Sequence, residues 1–172
     1  MENRVDKAER LFREGYNCAQ AVVGAFCDIY GVEEELGVRM AASFGAGFGR
    51  MREICGAVSG MGIIAGLENG ATKGSDTLGK KANYDLVVLM VEEFKKNNGT
   101  IICRELLGLD NKSTKDVKEG STILDKEQTI NKTVDTMPQK RDENYYKTRP
   151  CVDKVRECAQ IIEDIIMKGK DI

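Results

Sequence analysis

The stretch GYNCAQAVVGAF, residues 15–26, decides how the first part of this chain folds. Gly15 interrupts a helical pattern of apolar residues, and the residues after it are typical of a new helix start. Asn17 is a good N-cap, and Gln20 can return a hydrogen bond to the backbone of the cap. Cys18 therefore falls in the first turn of a helix, where backbone N–H groups and the helix dipole favour a negative charge.

The hydrophobic spacing in the rest of the chain also predicts helices. Apolar residues recur at steps of three and four, and no alternating run is long enough to demand a β-sheet. The segments with this spacing are 5–30, 33–44, 77–94, 100–108 and 150–168. We therefore expect one all-α domain over residues 1–172, a bundle of about five or six helices.

The glycine-rich stretch 45–70 predicts a flexible loop followed by a buried central helix. The loop is indicated by glycines at every second position from 45 to 49. In the helix that follows, Gly56 and Gly60 lie one turn apart on the same face. That spacing lets the backbone of another helix approach closely.

The segment 109–148 is polar and charged, with sparse apolar residues. We interpret it as an insertion or a mobile loop. Three of its apolar residues have the spacing of one short amphipathic helix: Ile130, Val134 and Met137.

The overall composition excludes several functions. The 26 basic and 28 acidic residues give a formal net charge of -2, so there is no basic field to attract nucleic acid or an anionic membrane. The longest apolar stretch, 54–67, falls short of the roughly 20 residues that a membrane helix needs. The N-terminus MENRVDKAER is too charged for a signal peptide. We expect a cytoplasmic protein, where six cysteines favour metal binding or redox chemistry over structural disulfides.

The chain contains no histidine. This excludes Cys–His and Ser–His dyads, histidine-ligated haem and mixed His/Cys zinc sites. Any chemistry must therefore use thiols, carboxylates, amines or a bound cofactor.

Four of the six cysteines fall where predicted helices begin, in distant parts of the chain. They are Cys18, Cys55, Cys103 and Cys151. A helix N-terminus stabilises the thiolate, which is the form that attacks disulfides and binds metals. Three arginines next to these cysteines are expected to act in the same direction: Arg52, Arg104 and Arg149. No two of the four form a CxxC pair, so spacing alone does not identify a metal site.

The remaining cysteines, Cys27 and Cys158, are interpreted as core residues. Cys158 lies on the same helix face as Cys151, roughly 10 Å away along the axis, which is too far for both to bind one metal ion.

Each of the four cysteines at helix starts has a distinctive local setting. The settings are GYNCAQAV at Cys18, CGAVSG from Cys55, ICRELLG at Cys103 and RPCVDKV at Cys151. In these settings and their order, the chain resembles the C_GCAxxG_C_C family, over about residues 10–165. The resemblance implies a small helical protein with a redox role, and metal or iron–sulfur binding through these four thiolates. Some haem proteins of anaerobes contain a similar region, but this chain lacks their CxxCH haem motif.

Three hypotheses follow, and they differ in whether the chain is an enzyme. In the first, Cys18, Cys55, Cys103 and Cys151 bind an iron–sulfur cluster for one-electron transfer to a partner protein, or bind zinc in a structural role. In the second, two of these thiols cycle as a metal-free dithiol/disulfide, which requires a pair within about 6 Å between Cα atoms. In the third, the chain is a non-enzymatic helical scaffold. A homodimer is a candidate assembly.

Overall fold

The computed structural model describes residues 3–109, 135–168 and 170, and over these ranges the chain is helical without a β-strand. The predicted all-α fold is confirmed, with more helices than expected. They are α1 (Arg4–Arg13), α2 (Cys18–Phe26), α3 (Glu34–Ala41), α4 (Gly56–Asn69), α5 (Thr77–Asn98), α6 (Cys103–Leu106), α7 (Glu143–Thr148) and α8 (Cys151–Ile162). Short 3₁₀ turns follow α2 and α3, and a π-helical turn, Glu163–Met167, follows α8.

The joint between α1 and α2 has the predicted geometry. Gly15 takes a φ of +110°, a conformation that residues with a Cβ rarely adopt. The Asn17 side-chain oxygen accepts hydrogen bonds from the backbone N–H groups of Ala19 and Gln20, at 3.1 and 3.0 Å. The Gln20 side-chain oxygen accepts one from the backbone N–H of Asn17 at 3.0 Å. This capping box makes Cys18 the first residue of α2.

Helix α4 lies against α2 with almost no side chain between the two backbones. A Cβ atom at Gly56 would lie 2.9 Å from the carbonyl oxygen of Phe44 and 3.2 Å from the Cβ of Cys18. A Cβ at Gly60 would lie 2.9 Å from the carbonyl oxygen of Ala19. The predicted close approach is therefore confirmed, and it brings the start of α4 next to the start of α2.

The core is formed by aliphatic and aromatic side chains of α1, α2, α4, α5 and α8. Its largest fully buried members are Phe12, Phe26, Phe94, Leu11, Met61, Ile64, Met90 and Ile162. Cys27 and Cys158 are also fully buried, as expected for core residues. Among the described residues, the core holds no buried polar or charged side chain.

Helix α5 contributes little to this core although it has 22 residues. Its buried residues are Met90 and Phe94, whereas Val88 and Leu89 are 59% and 55% exposed. Apolar residues therefore lie on both the buried and the exposed sides of α5, whereas a surface helix normally keeps them on its buried side. Neither α5 nor any other described helix is long and apolar enough to cross a membrane.

The polar segment 109–148 is described at residue 109 and from residue 135 onward. Two residues of the short helix suggested there lie outside the described residues: Ile130 and Val134. Met137, the third, lies in irregular chain. Arg141 ties this stretch to the bundle, because its Nη1 donates a hydrogen bond to the carbonyl oxygen of Tyr16 at 2.8 Å.

Candidate functional site

The four cysteines predicted to act together line one cavity of about 370 Å³. Cys18, Cys103 and Cys151 are the first residues of α2, α6 and α8, and Cys55 is the N-cap of α4. Helix starts from four distant parts of the chain therefore meet at this cavity. Cys151 is partly exposed, the other three are buried, and all four are free thiols.

A short backbone ladder holds Cys55 beside Cys103. The backbone N–H of Cys55 donates to the carbonyl oxygen of Ile101 at 2.8 Å, and the N–H of Cys103 donates to the carbonyl oxygen of Glu53 at 2.6 Å. This pairing sets the start of α6 next to the start of α4. Because α4 already lies against α2, three of the four cysteines are brought together by backbone contacts.

The glycine-rich loop before α4 forms one wall of the cavity and has an unusual backbone. Five consecutive residues have positive φ: Ala46, Gly47, Phe48, Gly49 and Arg50. For a residue other than glycine this conformation costs on the order of 1 kcal/mol. A Cβ at Gly47 would lie 2.8 Å from the Cβ of Cys103, so glycine is required for this contact. The predicted loop is thus a tight left-handed turn packed against a site cysteine.

Cys18 and Cys151 line the same cavity and shift each other's pKa in opposite directions. The interaction with Cys151 raises the pKa of Cys18 well above its ordinary value, and burial raises it further. The same interaction is the main cause that lowers the pKa of Cys151 to about 7. The Arg149 guanidinium and the Tyr145 hydroxyl also lower this pKa, while burial opposes them. Cys151 is therefore the thiol with a substantial thiolate fraction near neutral pH.

The other two thiols are held in the neutral form by burial. Burial raises the pKa of Cys55 to about 11, although backbone N–H groups of Val58 and Ala57 at the start of α4 act in the opposite direction. Burial also raises the pKa of Cys103, against the opposing effect of Arg52. The prediction that all four helix starts would lower the thiol pKa is wrong for three of them. Desolvation outweighs the N-terminal hydrogen bonds at Cys55 and the effect of Arg52 at Cys103. At Cys18 the interaction with Cys151 is the main cause.

Two of the three arginines predicted to favour thiolates do so. Arg149 acts to lower the pKa of Cys151, and Arg52 acts to lower the pKa of Cys103. Arg104 does not, because it forms an ion pair with Glu53 at 2.8 Å.

Five lining residues of the cavity come from the segment interpreted as an insertion, and two of them, Arg141 and Tyr145, carry groups that act on the site. Burial raises the pKa of Tyr145 to about 12, and the charges of Cys151 and Cys18 add to the effect. The guanidinium of Arg141 lies over the ring of Phe12, 4.3 Å from its centre. No local motif marks either residue, and their closeness in sequence to the last site cysteine is the signal that could have found them.

The donor set of the cavity suits a soft metal, since four thiols line it. Within residues 3–109, 135–168 and 170, however, no three histidine, cysteine, aspartate or glutamate side chains are arranged to hold a metal ion. The present arrangement of the thiols therefore does not fit an ion held by three or four of them. Metal binding by these cysteines stays a prediction.

Comparison with known proteins assigns the chain at the level of the family. The family model described as "Putative redox-active protein (C_GCAxxG_C_C)" matches residues 16–165, which include every cysteine that lines the cavity. No curated protein and no solved structure matches the chain. Because the family match covers most of the sequence, the chain belongs to the C_GCAxxG_C_C family of redox-active proteins.

Proposed function

We propose that this protein is a thiol–disulfide redox protein in which Cys18 and Cys151 interconvert between a dithiol and a disulfide. The observation that carries the proposal is that both cysteines line one cavity, where their interaction lowers the pKa of Cys151 and raises that of Cys18. A disulfide between them requires Cα atoms within about 7 Å of each other. The pair also combines the two properties that exchange requires, a thiolate near neutral pH and access from solvent at Cys151.

Cys151 is the attacking group in the proposed reaction. Its thiolate attacks one sulfur of a substrate disulfide RS–SR, which forms a mixed disulfide and releases one RS⁻. Cys18 then loses its proton and attacks the Cys151 sulfur, which forms the Cys18–Cys151 disulfide and releases the second RS⁻. The protein loses two electrons, the substrate gains two, and the two released thiolates take up the protons of the two protein thiols.

The interaction between the two cysteines also favours the second step. While Cys151 is a thiolate, this interaction holds the proton on Cys18. Once Cys151 is part of a mixed disulfide, that charge is gone, and the pKa of Cys18 falls. The resolving thiol is therefore activated only after the first bond has formed.

Peptide mapping after controlled oxidation tests this proposal. The reduced protein is treated with a small disulfide, remaining thiols are alkylated, and linked peptides are identified by mass spectrometry. We expect a link between the peptides of Cys18 and Cys151, and we expect Cys18→Ser to trap the mixed disulfide on Cys151. Cys27→Ala, a buried cysteine outside the cavity, is the control and should still form the link. A disulfide confined to Cys55 and Cys103 would contradict the assignment.

A second candidate function is the predicted binding of an iron–sulfur cluster, zinc or another metal by Cys18, Cys55, Cys103 and Cys151. It is supported by the position of all four thiols on one cavity, although binding requires the sulfurs to move closer together. Anaerobic purification followed by iron, zinc and sulfide analysis and a visible spectrum tests it. Stoichiometric iron and sulfide that are lost in Cys55→Ser would favour the cluster. A colourless, metal-free protein with four titratable thiols would favour the dithiol.

The proposed partners are an electron-transfer protein and a second copy of this chain. The second copy is favoured at the exposed face of α5, where contact between two α5 helices would cover Tyr84, which is 64% exposed. The same contact would cover the exposed Val88 of each copy.

A further inference from the structure

Most arginines of this protein form an ion pair with a carboxylate. The seven that do so are Arg4, Arg10, Arg13, Arg39, Arg50, Arg104 and Arg156. The remaining three are Arg52, Arg141 and Arg149, and among the described residues none of them has a carboxylate partner. All three line the cavity that contains the four cysteines. Guanidinium charge without an acidic partner is therefore concentrated at one place in the fold.

The contacts that two of these arginines make do not neutralise their charge. Arg52 acts on the thiol of Cys103, whose pKa is raised by burial, so this neighbour carries no compensating charge. Arg149 Nη2 donates to the side-chain oxygen of Gln139 at 2.8 Å. Each guanidinium has five N–H donors, so both retain donors for a ligand.

The third arginine is held in place by neutral groups. Arg141 Nη1 donates to the carbonyl oxygens of Phe12 and Tyr16 at 2.5 and 2.8 Å, and its guanidinium also lies 5.7 Å from the ring centre of Tyr145. These contacts fix its orientation at the cavity wall without supplying a negative charge.

The cavity as a whole has an excess of positive charge. No aspartate or glutamate of the described chain lines it. Arg50 and Lys154 line it as well, but they pair with Asp135 and Glu157 at 3.1 and 3.5 Å. The thiolate of Cys151 supplies one negative charge, which leaves most of the charge of three guanidinium groups without compensation. A ligand that carries negative charges would supply this compensation.

We propose that the cavity binds a small disulfide that carries carboxylate groups, and that the three unpaired arginines hold these carboxylates while its S–S bond faces Cys151. This inference rests on the proposed thiol–disulfide function. Guanidinium groups bind carboxylates through paired, charge-assisted hydrogen bonds. The volume of about 370 Å³ suits a small molecule and lies at the lower end of the range for ligand pockets.

Three small disulfides of similar size and different charge test the proposal. The probes are 3,3'-dithiodipropionate, which is a dianion, 2-hydroxyethyl disulfide, which is neutral, and cystamine, which is a dication. The rate of oxidation of the reduced protein is measured for each and divided by the rate of the same probe with free 2-mercaptoethanol. We expect the normalised rate of the dianion to exceed that of the neutral probe by about tenfold or more, with the dication slowest. Added salt should reduce the preference.

Arginine variants locate the source of the preference. Arg52→Gln is expected to lower the ratio between the dianionic and the neutral probe by at least about threefold. The ratio cancels any change in the reactivity of Cys151 itself. Arg39→Gln is the matched control, because Arg39 lies in α3 and pairs with Glu35 away from the cavity, and it should leave the ratio unchanged. Arg149→Gln repeats the test if the first variant folds poorly.

The possible results separate this inference from the proposed function. Equal normalised rates for the three probes, or a preference for the dication, would overturn the binding of an anionic disulfide while the dithiol chemistry stands. A protein that none of the three probes oxidises would overturn the thiol–disulfide function itself. A preference for the dianion that Arg39→Gln lowers as much as Arg52→Gln does would assign it to the general field of the protein and overturn the site.

Discussion

Cys18 and Cys151 line the same cavity, although the two residues belong to helices α2 and α8. Their interaction makes the two thiols unequal, because it raises the pKa of Cys18 and lowers that of Cys151. An attacking thiol and a resolving thiol are thus distinguished before any substrate arrives. This asymmetry is the feature that most directly connects the fold to thiol–disulfide exchange.

Removing the hydroxyl of Tyr145 is expected to make Cys151 less reactive. This hydroxyl helps to lower the pKa of Cys151, so Tyr145→Phe should raise that pKa from about 7. Alkylation of Cys151 by iodoacetamide at pH 7 should become roughly two- to fivefold slower. Tyr146→Phe is the control, since the Tyr146 hydroxyl contacts the carbonyl oxygen of Arg13 instead. Equal rates for both variants and the wild type would contradict the assigned role of Tyr145.

Alkaline pH is expected to destabilise the protein through Cys55. Burial raises the pKa of this thiol from 9.0 to about 11, so the unfolded chain loses the proton at lower pH than the folded chain. The stabilisation is complete below pH 9 and is lost as the pH rises through 11, by up to about 3 kcal/mol. Urea denaturation of the reduced wild type and of Cys55→Ala from pH 8 to pH 11 measures this. The stability difference between them should shrink with rising pH, and a constant difference would count against the raised pKa.

Replacing Gly60 by alanine is expected to separate α4 from α2. The new methyl group would lie 2.9 Å from the carbonyl oxygen of Ala19, so Gly60→Ala should cost about 1–3 kcal/mol of unfolding free energy. Gly62→Ala is a matched control on the same helix, because its Cβ would meet no atom within 4 Å. The control should be neutral or stabilising by about 0.5–1 kcal/mol. Denaturant titration of both variants measures their unfolding free energies. Similar losses of stability in the two variants would show that the close contact at Gly60 is not responsible.

The exposed face of α5 is expected to mediate self-association. Val88→Glu places a charge in the middle of this face and should shift a dimer to a monomer, as measured by sedimentation over a range of concentrations. Leu36→Glu is the control, because Leu36 is a similarly exposed apolar residue on α3. A wild-type protein that is monomeric at every concentration would rule out this assembly.

Much of the fold could be predicted because its signals are local. The capping box of Asn17 and Gln20, the spacing of Gly56 and Gly60 and the position of Pro150 depend on residues within about one helical turn. Such signals placed all four site cysteines at helix starts. They did not reveal the run of positive φ in the loop 46–50, because three of its five residues are not glycine.

The sequence by itself thus determined an all-α chain with thiols at four helix starts and with no histidine chemistry. Only the tertiary structure decided which thiol becomes a thiolate. The N-terminal backbone N–H groups are available to every one of the four, whereas burial and hydrogen-bond partners differ between them. Cys55 is buried and stays protonated, while the interaction with Cys18 lowers the pKa of Cys151. Those differences arise from packing between distant segments, which no local pattern of residues specifies.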